Sequence, residues 1–458
     1  MRTSSSLDRR LPVAAALAVL ALSPAAAASG EDDFDEIFGD IEDEFPDDEP
    51  APPDPSPSAL EPAPPEVEPE ETEPAASSGV HAARDEEGGG LNLRGYIQPA
   101  LGLRYRPDGV PRDQWEFGAD ATRIGIELAG SPIHGWFYVL HMVIGGDILT
   151  SLVDVSVVDR VGDGAPNDID TTSQFAPLVA FEEATIGYAM SDQFNVRLGQ
   201  MRIPFTVQHQ SPNTSLMFPQ RSGPNDIFLK DTDLGALATA DLGDITASAG
   251  VFNGTGTTPF AGAPFDPACG CNRVVRGLMY TGRVDVTPLG EFPLGVRGRA
   301  DQPLRLGVGA GLLYFPFNTF DNSGFSNARV RDLRASASFR LAVGGLTGQA
   351  EVLRRQQTDS LSHRPIIATG GYGQLSYYVP LSSDFGFAPI ARWGATVEDQ
   401  SFDARTTHWT EAGLTLYVHP DSGNPRDEVR VTVHYLDERR ITEGENAHGM
   451  IAQLQLMW

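Results

Sequence analysis

Lysine and cysteine are almost absent from this chain of 458 residues. Lys230 is the only lysine, and Cys269 and Cys271 are the only cysteines. A bridge between cysteines separated by one glycine would be strained, which argues against a disulfide framework. We interpret the pair as loop residues, with a free pair or a surface metal contact as alternatives. The chain also lacks a basic block, so nucleic acid is not an expected partner.

Long apolar runs and catalytic motifs are missing as well. No segment after residue 28 has the ~18 uninterrupted apolar residues of a membrane helix. There is no Gly-x-Ser-x-Gly elbow, no His-Glu-x-x-His and no P-loop, and the histidines lack metal-binding spacing. The sequence therefore predicts no enzyme, no metal and no cofactor; a Ser–His pair of a barrel lipase is the enzymatic alternative.

Residues 1–28 have the organisation of a secretory signal peptide. Arg9 and Arg10 close a basic start, residues 11–22 are apolar, and residues 26–28 offer a small-residue cleavage site. We expect this segment to be removed on export, the alternative being a signal-anchor helix.

Residues 29–90 carry most of the formal net charge of −29. Roughly 22 acidic groups face the single Arg84 between residues 31 and 90, and proline is frequent. Such a segment cannot bury a core and should remain extended, so it predicts a disordered periplasmic tail. Apolar residues at helical spacing within 34–45 suggest either a docking helix for a periplasmic or envelope partner or a transient helix.

Residues 91–458 show short alternating runs separated by turn residues, which predicts an all-β transmembrane antiparallel barrel of about 16 strands. In 450–458 apolar residues alternate with a mostly polar face, and the run ends on Trp458. A soluble sandwich or propeller is the alternative. The predicted strands are 91–106, 117–130, 135–147, 179–189, 194–203, 233–241, 245–254, 275–287, 304–315, 328–341, 346–356, 371–380, 387–398, 409–419, 427–437 and 448–458.

Link lengths alternate between short and long along these strands, as the two ends of an outer-membrane barrel require. Short links are expected at 131–132, 191–192, 243–244, 344–345 and 382–383. Long ones are expected at 148–178, 204–232, 255–274 and 357–370, whereas 288–303 and 420–426 are longer than the pattern allows. This predicts an outer-membrane location with the tail and the C-terminus periplasmic, and lipid as a partner.

Alternation assigns one face of each strand to the barrel interior. The polar side chains on that face predict a water-filled lumen, because side chains cannot fill a barrel of this size. The arginines placed inside outnumber the inside acidic residues by roughly two to one, which predicts a modest anion preference. The alternative is that they form wall ion pairs. The inside arginines are Arg94, Arg104, Arg123, Arg197, Arg283, Arg305, Arg334, Arg340, Arg355, Arg392 and Arg430; the acidic residues are Glu127, Glu183, Asp285, Asp332, Glu351 and Glu411.

Four segments together resemble the phosphate-selective porin O and P family. Residues 196–205 resemble its Gly-Gln-x-basic-x-Pro-Phe signature and 217–222 its Arg-Ser element. Residues 251–256 are similar to its Val-Phe-Asn-Gly strand end, and 280–290 to its strand ending in Pro-Leu-Gly.

The resemblance implies a sixteen-stranded, usually trimeric channel whose third surface loop, here 204–232, folds into the lumen. It places Arg202, Arg221 and Lys230 at the constriction. The family's phosphate selection is associated with lysines, whereas this chain offers mainly arginines, whose geometry and hydration differ.

These expectations combine into an outer-membrane porin for passive diffusion of small hydrophilic solutes. A modest anion preference is expected, with phosphate as one candidate anion. The alternative is a structural barrel whose acidic tail binds a periplasmic or envelope partner.

Overall fold

The computed structural model describes the region after residue 90. The described residues are 91–107, 115–118, 123–145, 179–228, 232–254, 265–266, 271–272, 274–290, 292, 302–320, 328–359, 365–400, 403–418, 429–442 and 444–458. The predicted signal peptide, the predicted tail and Lys230 lie outside them. None of the helices in these ranges is long and apolar enough to cross a membrane.

Sixteen antiparallel strands form a closed barrel. The sheet contains 20 hydrogen-bonded segments because β1, β2, β8 and β12 are each interrupted once. The strands are β1 (Leu91–Gln98 and Ala100–Tyr105), β2 (Trp115–Gly118 and Arg123–Ile133), β3 (Trp136–Gly145), β4 (Val179–Ala189), β5 (Phe194–Arg202), β6 (Thr232–Asp241), β7 (Ile245–Phe252), β8 (Val274–Arg276 and Met279–Val286), β9 (Arg305–Phe320), β10 (Ala328–Val343), β11 (Leu346–Asp359), β12 (Pro365–Tyr377 and Val379–Pro380), β13 (Phe385–Gln400), β14 (Asp403–Val418), β15 (Val429–Arg440) and β16 (Glu445–Met457).

The barrel closes between its first and last strands. Tyr96 and Ile97 of β1 lie opposite Met457 and Leu456 of β16. The backbone of Trp458 exchanges two 3.0 Å hydrogen bonds with Gly95. Closure leaves no free sheet edge, which a strand surrounded by hydrocarbon could not tolerate.

The predicted barrel and its sixteen strands are confirmed, but the lengths of the later strands differ from the prediction. β9, β10, β13 and β14 each have 16 residues, more than the roughly 9–11 that cross a bilayer. The expected long link 357–370 consequently shrinks to 360–364. Beyond the hydrocarbon no lipid enforces alternation, so the ends of these strands carry a weaker sequence signal.

The two rims of the barrel differ. Leu91 and Trp458 lie at one end, which we call the terminal rim; the other is the opposite rim. Most links at the terminal rim are tight turns, such as Gly344–Gly345, where both glycines have positive φ. The first turn lies at 134–135 and not at 131–132, because pairing of β2 with β3 continues past an irregularity to Ile133.

Side-chain exposure confirms the predicted faces. On β15, Val433 and Tyr435 are exposed on the outside, whereas Thr432 and His434 are buried inside. On β14, Leu414 and Leu416 face out while Glu411 and Thr415 face in. An apolar exterior over a polar interior is the arrangement expected for a membrane-spanning barrel.

The described part of the link between β5 and β6, residues 203–228, we call the inward segment. It contains α1 (Val207–Gln210), a 3₁₀ turn (Asn213–Ser215) and α2 (Gly223–Phe228). Gln98 of β1 donates to the Asn213 carbonyl, and Arg283 of β8 donates to the Phe205 carbonyl. Because β1 and β8 lie on opposite sides of the ring, the segment crosses the lumen.

A hydrophobic core lies inside the barrel, which corrects the expectation of a wholly water-filled interior. Ile203, Phe205 and Phe228 of the inward segment are at most 1% exposed. They pack against inward-facing apolar residues of the wall, so apolar side chains fill this side of the lumen. The wall residues of this core are Met201, Leu237, Phe252, Met279, Leu313, Phe315, Leu353 and Ala368.

Candidate functional site

The inward segment is fastened to the wall through its own backbone. The Phe205 carbonyl accepts hydrogen bonds from Arg283 Nη1 at 2.8 Å and Ser336 Oγ at 2.7 Å. Glu351 accepts from the Val207 amide at 2.7 Å. Arg392 donates to the Gln220 carbonyl at 2.9 Å. These wall residues belong to β8, β10, β11 and β13, so the segment is held along a broad arc of the barrel.

Carboxylates neutralise several arginines that hold this segment. Arg283 binds Asp285 through two contacts of 2.6 Å, and Arg392 binds Glu411 through two contacts of 2.7 Å. Such bidentate pairs fix the planar guanidinium. Arg392 also lies 4.4 Å above the ring of Phe218. These arginines position the segment, as expected for wall ion pairs.

Asp332 of β10 likewise neutralises two arginines. It pairs with Arg334 at 2.6 Å and with Arg355 at 2.9 Å. Arg334 donates a further hydrogen bond to the carbonyl of Phe228, at the end of α2. The end of the described inward segment is therefore also fastened through an ion pair.

Glu182 is an inward-facing ion-pair residue that parity reasoning missed. The register between β3 and β4 shifts at this point, since His141 lies opposite Glu183 and Met142 opposite Phe181. This bulge turns the carboxylates of both Glu182 and Glu183 inward. The signal was present in the sequence, because strict alternation would place one of two adjacent glutamates against lipid.

Glu182 determines the surroundings of Arg202, one of the predicted constriction residues. Its Oε2 lies 2.6 Å from Arg202 Nη2, and its Oε1 accepts from Asn213 Nδ2 at 2.6 Å. His141 Nδ1 lies 3.4 Å away. Arg202 is thus at the start of the inward segment as predicted, and its charge is matched by Glu182.

Arg221 is the second predicted constriction residue, and it lies within the inward segment. It is 9% exposed, and its Nε donates to the Gln208 carbonyl at 3.2 Å. Gln208 in turn accepts from the Ser222 amide at 2.9 Å. Arg221 therefore contributes to the internal geometry of the segment.

Two predicted lumen arginines have neutral partners among the described residues. Arg123 Nη1 donates to the Pro219 carbonyl at 3.3 Å, and Arg430 Nη2 to Gln455 Oε1 at 2.7 Å. Gln455 also accepts from Gln98 Nε2 at 2.6 Å. We call the wall of β15, β16, β1 and β2 around these side chains the arginine sector.

The remaining predicted lumen arginines are distributed along the wall. Arg104 pairs with Glu438 at 2.8 Å, and Arg197 with Glu183 at 3.0 Å. Arg340 lies 3.4 Å from Asp285. Arg94 lies opposite Glu127 in the register of β1 and β2, and Arg305 begins β9. The structure thus brings Arg123, Arg202, Arg221, Arg283, Arg334 and Arg392 to the inward segment and spreads the others over the wall.

A comparison with protein families decides the assignment. The profile described as phosphate-selective porin O and P matches residues 162–458. The chain belongs to this porin family. With the closed barrel, membership indicates an outer-membrane channel and not an enzyme. In the described ranges, no group of three or more His, Cys, Asp or Glu residues could hold a metal ion.

Comparison with solved structures finds outer-membrane proteins at low sequence identity. The outer membrane channel DcaP of Acinetobacter baumannii is 12% identical with a TM-score of 0.49, covering 81% of this chain and 98% of that one. The anion-selective porin from Comamonas acidovorans is 11% identical with a TM-score of 0.48, covering 81% and 100%. Pseudomonas putida OprB is 10% identical with a TM-score of 0.48, covering 81% and 94%. No curated protein sequence matches the chain.

Proposed function

We propose that this porin conducts small hydrophilic solutes by passive diffusion with a modest preference for anions. The inward segment would narrow the lumen, and the arginine sector would supply the positive potential of the remaining path. Fixed charge along a pore raises the local concentration of ions of opposite sign.

The proposed anion preference is supported by a difference in the hydrogen-bond partners of two groups of arginines. Arg202, Arg283 and Arg392 have carboxylates 2.6–2.7 Å away. Within the described residues, the hydrogen-bond partners of Arg123 and Arg430 are a carbonyl and an amide oxygen. Neutral partners leave the positive charge of a guanidinium uncompensated, so these two side chains favour anions more than the paired ones do.

Phosphate is one candidate among these anions. A guanidinium can bind two phosphate oxygens through a planar fork, whereas an ammonium acts as a compact point charge. With Lys230 as the only lysine, any phosphate preference would rest mainly on arginine. Conductance measured first in chloride and then in phosphate would show slower passage of phosphate if it dwells at the arginine sector.

The anion preference is tested by reversal potentials across a planar bilayer with a salt gradient. Replacing Arg123→Gln or Arg430→Gln should move the reversal potential toward cation selectivity, and the double variant should move it further. Arg331→Gln is the matched control, because Arg331 is exposed and lies on the same outer face of β10 as Leu333, two residues further along. Clear cation selectivity of the unaltered protein would contradict the proposal.

The orientation and assembly follow from the same proposal. The terminal rim would face the periplasm, supported by its tight turns, and the opposite rim would face the exterior. The family resemblance implies a homotrimer. Mass determination by light scattering of the detergent-solubilised protein tests the trimer, and protease access in intact cells tests the orientation.

A further inference from the structure

A small polar cavity lies near the opposite rim, above α2 of the inward segment. Its volume is about 240 Å³, slightly below the roughly 300–1,000 Å³ of typical small-molecule sites. Residues of β13, β14, β15 and the inward segment line it, so it is formed only when the segment lies inside the barrel. The lining includes Ile227, Glu398, Arg405, Trp409, Glu438 and Arg440.

Trp409 gives this cavity an apolar wall. It points from β14 into the barrel, and it lies opposite Gly394 of β13 and Glu438 of β15. Its side chain is partly exposed. Gly223, the first residue of α2, sits against it: a Cβ added there would lie 2.4 Å from Trp409 Cε2. The inward segment therefore fixes the position of the indole.

The charges of the cavity are balanced. Glu438 accepts hydrogen bonds from Arg440 Nε at 3.0 Å and from Arg104 Nη2 at 2.8 Å. Glu398 lies directly opposite Arg405 on the neighbouring strand. The lining contributes two carboxylates and two guanidiniums. Just outside it, the added charge of Arg104 is matched by Glu445, which lies 3.3 Å from Arg440. The cavity therefore has no net charge and does not favour an ion of either sign.

Balanced charge does not remove hydrogen-bonding capacity. A guanidinium carries five N–H donors and a carboxylate about four acceptor sites, and a pair of them uses only some of these. The hydroxyl of Thr407, another lining residue, adds a group that both donates and accepts. A flat apolar surface beside many donors and acceptors suits a ring with an apolar C–H face and hydroxyl groups at its edge.

From this combination we propose that the cavity binds a neutral hydroxylated ring, such as a single sugar unit. The inference rests on the proposed function insofar as the ring would bind on its way through the channel. Trp409 packs against the face of the ring, while Glu398, Arg405 and Thr407 hydrogen-bond its hydroxyl groups. Its lining includes neither Arg123 nor Arg430 of the arginine sector, which would serve anions.

The test uses the full-length protein in planar bilayers with glucose as the probe. Glucose added on the opposite-rim side should reduce the ionic current in a saturable way. Trp409→Ala should raise the half-blocking concentration roughly tenfold, the loss of one well-placed aromatic contact, and Trp409→Phe should raise it less. Trp393→Ala is the matched control, because Trp393 is 53% exposed on the outer face of the adjacent strand.

Saturation-transfer NMR of glucose with the detergent-solubilised protein measures binding directly and does not depend on conductance. Absence of current with intact glucose binding would defeat the channel proposal and leave the sugar site standing. A normal current with neither block nor NMR transfer would overturn the sugar site alone. Block by gluconate at concentrations tenfold lower than glucose would also overturn it, because a balanced lining should not prefer the anion.

Discussion

Replacing Phe205→Ala should loosen the inward segment without unfolding the barrel. Phe205 is fully buried in the hydrophobic core inside the lumen. In the undocked state the Phe205 ring would contact lumen water. Removing the ring therefore destabilises the docked state alone, by the amount usual for a buried aromatic. Phe→Ala changes in cores cost about 3–5 kcal/mol. This corresponds to a shift of the docked–undocked equilibrium by about two to almost four powers of ten.

The shift should appear in single-channel recordings as a larger and more frequently fluctuating conductance. The carbonyl contacts of Phe205 with Arg283 and Ser336 do not involve the phenyl ring and can persist, so intermittent release is expected. Phe339→Ala provides the control, because Phe339 is 44% exposed on the outer face of β10. An unchanged, quiet conductance in a folded Phe205→Ala protein would refute the view that this core holds the inward segment.

Three further predictions follow from contacts around the inward segment. Gly311→Ala should produce the same fluctuating conductance, because the added Cβ would lie 2.4 Å from the carbonyl oxygen of Phe205. Gly373→Ala is the control and should leave the conductance unchanged, because its Cβ would meet nothing within 4 Å. Arg392→Met should lower the free energy of unfolding by about 3–5 kcal/mol, because it removes the bidentate guanidinium partner of the buried Glu411. The double change of both residues to methionine should be milder, and guanidinium titration of tryptophan fluorescence measures both. Deleting residues 29–90 should leave conductance and ion selectivity unchanged, since the described barrel closes from Leu91 onward; altered gating in bilayers would instead assign the tail a role in the channel.

Alternation predicted the barrel well because lipid constrains one face of every crossing strand. The bounds of β4, Val179–Ala189, match the expected range, and the inward positions of Glu411 and His434 are as expected. The constraint ends with the hydrocarbon. The 16-residue strands such as β14, Asp403–Val418, continue past it and were predicted too short.

The candidate site was less accessible to sequence reasoning, because pairing across the lumen depends on distant strands. Parity placed Arg283 and Arg392 inside but could not show that Asp285 and Glu411 neutralise them. It also missed Glu182, because a bulge changes the face that a residue presents. The apolar residues of the inward segment were a usable signal, since Ile203 and Phe205 would be costly in a solvated loop.

The join between the first and last strands suggests an order of events during biogenesis. Gln98 of β1 and Gln455 of β16 bond to each other, and they also donate to the backbone of Asn213 and Thr214 at 3.4 and 3.2 Å. This set of contacts needs the first and last strands side by side, so it can form only once the barrel has closed. Until then the inward segment could already bind strands such as β10 and β11, and its contact with the joined first and last strands would mark the completed barrel.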